Sequence, residues 1–279
     1  MAERKPVTIF DFAAKKARGE RIVVLTAYDY PSALFADAAG VDALLVGDTV
    51  GMVVLGHETT LPVTLDAIIH HVQAVRRARP KALVIADLPF LTYQVNADEA
   101  VRNAGRLLQE GGANAVKLEG GRRVVGIVER LVQAGIPVMG HLGLTPQSAQ
   151  AMGRRIQARN PEAARRLLED ARALQEAGAF SIVLETIPAE VARVVSAELS
   201  IPTIGIGAGP HCDGEVQVFH DLLGLYDRFS PKHSRRYAEL GQAITNAVAA
   251  FAADVRAGTF PAEENTFHEP ALEDPSWKS

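Results

Sequence analysis

The 279-residue chain has a single cysteine, Cys212, which excludes any intrachain disulfide. It also lacks a basic surplus: a formal charge of -4 and a pI near 6.1 leave little to neutralise a phosphate backbone, so nucleic acid is not an expected partner. Long apolar runs are missing, and stretches such as Ala43 to Gly47 fall far short of the roughly 20 residues that cross a bilayer. The opening residues, Met1-Ala2-Glu3-Arg4-Lys5 leading into Val7-Thr8-Ile9-Phe10-Asp11, carry no signal-peptide apolar stretch. These absences predict a cytoplasmic protein with no membrane partner. Low-complexity tracts are absent as well. What remains is 48% apolar and 22% charged, enough for one large core within the usual size of an α/β barrel and too short for a second full domain.

Short β-branched runs recur along the chain: Ile22–Leu25, Ala43–Val46, Ala82–Ile85, Ala115–Leu118, Pro137–Met139, Ser181–Leu184, Thr203–Ile206 and Val216–Val218. Each is almost continuously apolar, as parallel strands buried on both faces require. Helical segments are expected after each. Thr64 is placed to cap one with apolar positions Leu65, Ile68, Ile69, Val72 and Val75, ended by Pro80. Asn96 and Glu99 suggest a capping box for another that finishes at Gly111-Gly112, and Asn160-Pro161 opens a third that stops before Gly178. Eight such units predict an α/β fold, a (β/α)8 TIM barrel, as one domain over residues 1–279. Met1 to Lys16 would cap its bottom, Phe229 to Val255 would form terminal helices, and an acidic, proline-containing tail would follow Gly258, disordered or pinned by a neighbouring subunit.

Reactive groups of such barrels sit where strands end, and the residues at those places here are polar. The first run leads to Tyr28-Asp29, the second to Asp48-Thr49, the third to Asp87, the fourth to Lys117 and Glu119, the fifth to His141, the sixth to Glu185 and the eighth to His220-Asp221. A lone carboxylate at such a place is most often a helix cap. Three from consecutive strands, Asp48, Asp87 and Glu119, offer hard oxygen ligands suited to Mg²⁺. Lys117 shares a strand face with Glu119 and could neutralise a substrate carboxylate, or simply pair with Glu119. Glu185 ends a buried strand, the setting in which desolvation favours a general base, and His141 lies between glycines that permit close approach of a ligand. His70 and His71 are expected on a solvent-exposed helix flank. Gly205-Ile206-Gly207-Ala208-Gly209 stands where barrels often bind phosphate, but lacks the spacing of a dinucleotide fingerprint; tight packing and phosphate binding both stay open.

Seven blocks are more specific: Val46-Gly47-Asp48-Thr49-Val50-Gly51-Met52, Gly56-His57 with Thr60-Leu61-Pro62-Val63-Thr64, Ala86-Asp87-Leu88-Pro89-Phe90, Lys117-Leu118-Glu119-Gly120-Gly121, Gly140-His141-Leu142-Gly143-Leu144-Thr145-Pro146-Gln147, and the glycine-rich segment at 205–209. In this order they resemble the ketopantoate hydroxymethyltransferase family over roughly residues 8 to 266. The resemblance implies a barrel related to the phosphoenolpyruvate mutase and isocitrate lyase group. It also implies formation of 2-dehydropantoate from 3-methyl-2-oxobutanoate, 5,10-methylenetetrahydrofolate and water through a Mg-stabilised enolate. By the same resemblance Asp48, Asp87 and Glu119 match the metal positions, Asp48, Thr49, Asp87, Lys117 and His141 the substrate contacts, and Glu185 the proton acceptor. The family precedent is a cytoplasmic homo-oligomer, often a decamer, in which Phe260 to Phe267 would serve as an exchanged arm. Three departures stand out: Thr49 in place of a frequent serine, Ala158 after Gln157 in place of a common glycine, and His233 in place of an aromatic after Pro231-Lys232. Two other readings of the residues remain, a carbon-carbon lyase on the same barrel and a non-catalytic metal and oxo-acid binding protein. A lyase of that kind would need a cysteine acid at the mouth, and Cys212 follows the seventh loop instead.

Overall fold

The computed structural model describes residues 4–226, 231–273 and 275–278. Eight parallel strands close into a barrel in chain order: β1 (Ile22–Thr26), β2 (Ala43–Val46), β3 (Leu83–Asp87), β4 (Ala115–Glu119), β5 (Val138–Gly143), β6 (Ser181–Glu185), β7 (Thr203–Ile206) and β8 (Gly214–Gln217), with β8 paired back to β1. α1 (Ile9–Arg18) precedes the barrel, and around it lie α2 (Tyr30–Ala38), α3 (Val50–Val53), α4 (Leu65–Arg77), α5 (Ala97–Gln109), α6 (Val125–Gln133), α7 (Ala149–Met152), α8 (Pro161–Glu176), α9 (Ala189–Glu198) and α10 (Phe219–Leu222). A last helix, α11 (Leu240–Ala257), follows.

Helix starts follow the cap chemistry. Thr64 Oγ1 accepts from Ala67 N at 3.2 Å, Asn96 Oδ1 from Glu99 N at 2.8 Å and Asn160 Oδ1 from Ala163 N at 2.9 Å, each satisfying an N–H that the helix itself leaves free. At Asn96 only this half of the expected capping box forms.

The strand period of two divides the apolar residues into two cores. One fills the barrel: Ile22 and Val24, Ala43 and Leu45, Leu83 and Ile85, with Ala115, Met139, Val183, Ile204 and Val216. The other packs between strands and helices. Phe12 of α1 closes the barrel floor against Phe180, ring centroids 5.7 Å apart, so the N-terminal segment caps the bottom as expected; Met1 lies outside the described residues.

Three expectations need correction. Strand and helix do not alternate throughout: within the described residues β7 passes to β8 through residues 207–213 without a helix, and Gly205 and Ile206 belong to β7 itself. The terminal helices reduce to α11 alone, since residues 231–239 form turns and Phe229 lies outside the described residues. His71 is half-buried rather than solvated, its Nδ1 2.6 Å from the Tyr28 carbonyl oxygen, while His70 is exposed. The tail after Gly258 is exposed and carries short 3-10 turns at Glu263–Asn265, Pro270–Leu272 and Pro275–Lys278.

Candidate functional site

On β3 to β6 the inward face runs from apolar to ionisable. Leu83 and Ile85 are followed on the same face by Asp87, Ala115 by Lys117 and Glu119, Met139 by His141, and Val183 by Glu185. Sheet register then sets these ends side by side. Asp87 pairs with Lys117, Glu119 with His141, and Gly143 with Glu185. Asp48 arrives from the turn after β2, where Gly47 has no side chain to obstruct Asp87; a Cβ there would lie 3.3 Å from Asp87 Oδ2. The result is a small cavity of about 50 Å³ lined by Asp48, Thr49, Asp87, Lys117, Glu119, His141 and Glu185. All seven residues singled out from the sequence meet there.

The contacts form one network. Asp87 Oδ2 accepts from Asp48 N at 3.0 Å and its Oδ1 pairs with Lys117 Nζ. Lys117 Nζ also lies 3.4 Å from His141 Nδ1, and His141 Nε2 lies 3.2 Å from Glu185 Oε2. Lys117 therefore pairs with Asp87, not with Glu119. Asp48, Asp87 and Glu119 are each only 2% exposed, whereas the Glu185 side chain keeps 16% and is the most open of the four carboxylates.

Burial sets the electrostatics. It pushes the Asp48 carboxyl up to about 7, helped by the Asp87 charge and opposed by Lys117 and the Gln147 hydrogen bond. Burial likewise raises Glu119 well above the carboxylate range, with Asp48 and Asp87 adding to the effect and Lys117 opposing it. For Lys117 desolvation alone would favour the neutral amine, but Asp87, Glu119 and Asp48 outweigh it and the ammonium is held.

Sequence reasoning missed three residues. Gln147 Nε2 donates to Asp48 Oδ2 and to the Leu88 carbonyl, both at 3.0 Å, while its backbone N–H donates to Glu119 Oε2 at 3.1 Å. Tyr93, fully buried, donates to Gln147 Oε1 at 2.8 Å and accepts from Glu119 N at 3.1 Å. Thr26, which continues the inward face of Ile22 and Val24, also lines the cavity and was open to discovery by period alone. Other strand-end residues stay out: Asp29 caps α2 through Ser32 N at 2.8 Å, and His220 packs its ring on Tyr28.

The donor set suits a divalent cation. Glu119 Oε1 is buried without a hydrogen-bond partner and faces His141 Nδ1 only at 3.6 Å. Among the described residues, however, no three acidic, histidine or cysteine side chains close on one point as a ready coordination sphere, because Asp87 is drawn to Lys117 and Asp48 to Gln147.

The glycine-rich segment after β7 is filled by its own chain. A Cβ on Gly207 would meet His233 Nδ1 at 3.0 Å and one on Gly209 would meet Ala189 Cβ at 2.5 Å, and no helix N-terminus follows to hold a phosphate. Cys212 is buried at the opposite end of the barrel, just ahead of β8, far from a mouth where a lyase would need its thiol.

Residues 6–263 match the family model of ketopantoate hydroxymethyltransferase. The chain belongs to this family. It is 58% identical over 268 residues to the 3-methyl-2-oxobutanoate hydroxymethyltransferase of Moorella thermoacetica, covering 96% of this chain and all of that one. The enzyme of the same name from Geobacter sulfurreducens is 55% identical over 93% of this chain and 98% of its own. Among solved structures, phosphonopyruvate hydrolase in complex with oxalate and Mg²⁺ superposes with a TM-score of 0.62 at 13% identity, covering 93% of each chain. The 2,3-dimethylmalate lyase of the phosphoenolpyruvate mutase and isocitrate lyase superfamily gives 0.59 at 20% identity, covering 94% of this chain and 90% of that one. These two likenesses bear on the fold, and agree with the barrel type expected from the sequence. As a ketopantoate hydroxymethyltransferase the chain is a transferase of pantothenate biosynthesis, acting on 3-methyl-2-oxobutanoate. Among its described residues no helix is long and apolar enough to cross a membrane.

Proposed function

We propose that the network at the barrel mouth performs the family reaction with Glu185 as proton acceptor, 5,10-methylenetetrahydrofolate as one-carbon donor and Mg²⁺ as the ion that Asp48, Asp87 and Glu119 hold. Bound there, Mg²⁺ would supply Lewis-acid stabilisation of negative charge on the substrate oxygens. The observation that carries the reading is the pairing of His141 with Glu185 at 3.2 Å, on the strand next to the Glu119 and Lys117 cluster.

Each residue has a separable task. Lys117 Nζ, kept charged by its neighbours, offers a cation to the carboxylate of the oxo acid, and Thr49 offers a hydroxyl beside it. Asp48 and Asp87 bound the same end of the pocket. Glu185 Oε2 takes the proton from C3, and the carbanion so formed bonds to the folate methylene as one of its two C–N bonds breaks; water then supplies the hydroxyl as the second C–N bond is cleaved, releasing tetrahydrofolate with its nitrogens protonated. His141 Nε2 faces the Glu185 carboxylate at 3.2 Å and its ring stands between it and Glu119. Gly143 makes this possible: its φ is +93°, and a Cβ there would lie 2.1 Å from the Glu185 carbonyl oxygen.

A homo-oligomer is part of the same reading. On α11 the apolar residues Leu240, Ile244, Val248, Phe251 and Val255 form an exposed stripe at helical spacing. A second copy of the chain is the natural cover, and a decamer is the precedent. The cytoplasm is the proposed location, supported by the biosynthetic family and a single buried thiol.

One NMR experiment tests the chemistry. C3 exchange of 3-methyl-2-oxobutanoate in D₂O should require Mg²⁺ but not folate, and addition of methylenetetrahydrofolate should bring a hydroxymethyl signal. Folate-independent exchange with no such product would favour another fate for the carbanion, and no exchange would leave a binding protein.

A further inference from the structure

The mouth cavity is far smaller than the roughly 300 to 1,000 Å³ of a drug-sized ligand site, so a pterin with its aminobenzoyl arm cannot lie inside it. A second cavity of about 450 Å³ adjoins it. Gly120 and Thr145 line this larger space, and their chain neighbours Glu119 and Pro146 line the mouth. Its far wall is α8 from Ala163 through Arg166 to Asp170, and its rim includes Gln157, whose N–H donates at 2.9 Å to the carbonyl of Thr186, the residue after Glu185. The rim is therefore tied to the strand end that carries the proton acceptor.

The charge around this cavity runs against that of the chain. Net charge is -4 overall, yet residues 153–166 hold five arginines, Arg154, Arg155, Arg159, Arg165 and Arg166, against one acid, Glu162. Arg166 pairs with Glu162, and on the opposite wall Arg122 pairs with Glu169 and Asp170. Arg154, Arg155, Arg159 and Arg165 form no ion pair among the described residues and stand exposed. None of these four lines the cavity itself, whose arginines are Arg122, Arg123 and Arg166, but Arg155 and Arg159 flank its rim residues Gln157 and Ala158 along the chain and Arg165 precedes Arg166, so an exposed run of unpaired guanidiniums borders the rim as a local anion field.

We infer that the larger cavity receives the body of the folate co-substrate and that the arginines of residues 154–159 take the carboxylates of its γ-linked glutamate tail, so that the protein prefers polyglutamylated over monoglutamylated folate. The inference rests on the folate reading above. The methylene unit then points to the mouth past Gly120 and Thr145, and the tail leaves toward solvent over the arginine loop. Folates carry a poly-anionic tail whose length grows by one carboxylate per added glutamate, and this is the ligand chemistry that a row of unpaired arginines recognises.

Calorimetric binding of tetrahydrofolate and of its triglutamate, to the full-length protein with Mg²⁺ and 3-methyl-2-oxobutanoate, tests it. The wild type should bind the triglutamate about tenfold more tightly. The variant with Arg154→Ser, Arg155→Ser and Arg159→Ser should lose this preference while keeping monoglutamate affinity and folate-independent C3 exchange. Ala163→Trp, which fills the cavity, should weaken both folates and leave C3 exchange intact. Equal affinity of the wild type for the two folates, or a preference that survives in the triple variant, overturns the tail assignment. Unaltered folate binding in Ala163→Trp overturns the cavity assignment. If neither folate binds while C3 exchange proceeds, the folate reading itself fails, a result distinct from any of these.

Discussion

On β4, Ala115 lies in the packed floor of the barrel and Glu119, four residues along the same face, lies at the mouth. The two halves of the interior share strands, register and burial, and differ in what is buried. The floor hides Ile22, Ile85, Met139 and Ile204, each removal from water stabilising the fold by a few kcal/mol at most. The mouth hides four carboxylates, one lysine and one histidine to nearly the same depth, and no such gain accrues there. Stability is thus generated below and opposed above. A rigid floor is what allows an energetically unfavourable constellation of charge to persist at the rim.

Glu185→Gln gives the largest expected departure. C3 deuterium exchange should fall on the order of 10² to 10⁴-fold, with oxo-acid affinity and thermal midpoint little changed. An unchanged exchange rate would remove Glu185 from the reaction. The floor should answer in the opposite manner. Phe12→Ala should cost about 3 to 5 kcal/mol in denaturant unfolding while turnover at low temperature persists, and a loss of turnover without loss of stability would break the division between the halves.

Asp48→Asn should reveal the strain of the mouth. Measured without divalent metal at pH 8, it should stabilise the protein by about 1 to 3 kcal/mol, because a buried like charge is removed, and it should abolish Mg²⁺ binding. The pH dependence follows from the same group. The Asp48 carboxyl is raised to about 7, above its unfolded value of 3.8, so its proton is held more tightly by the folded chain. The stability it contributes to the metal-free protein is full below about pH 4 and is lost as pH rises through about 7. Metal binding needs the ionised carboxylate and should release a proton, so Mg²⁺ affinity should rise up to about tenfold per pH unit toward 7, as calorimetry in two buffers would read. Flat affinity across that range would mean that Asp48 is no ligand.

The smallest effect concerns a family departure. Ala158 has φ +52°, a left-handed conformation that favours glycine, and it lines the larger cavity. Ala158→Gly should shift stability by less than about 1 kcal/mol, relief of strain being offset by greater chain entropy in the unfolded state.

Much of the floor and mouth was legible because a period of two ties them together. Once Leu83, Ile85 and Asp87 are assigned to one face, the position of Asp87 follows, and the same rule carries Lys117, Glu119, His141 and Glu185. Asp48, two residues beyond β2, needed the sheet order as well. The roles of Gln147 and Tyr93 were not legible, since neither lies on a strand and their meeting with each other, Asp48 and Glu119 depends on the closed barrel. The helix-free passage from β7 to β8 was hidden by the eight-unit pattern, which allows a missing helix without disturbing any strand.

Gln147 has its whole side chain and its backbone N–H occupied: both amide hydrogens are given away, its side-chain oxygen accepts from Tyr93, and its backbone N–H holds Glu119. Few substitutes exist for a side chain used to its full valence. Glutamate would bring a further negative charge to Asp48, asparagine is one methylene too short, and methionine has nothing to donate. Substitution at this position is therefore costly, although the residue takes no part in breaking or forming a bond.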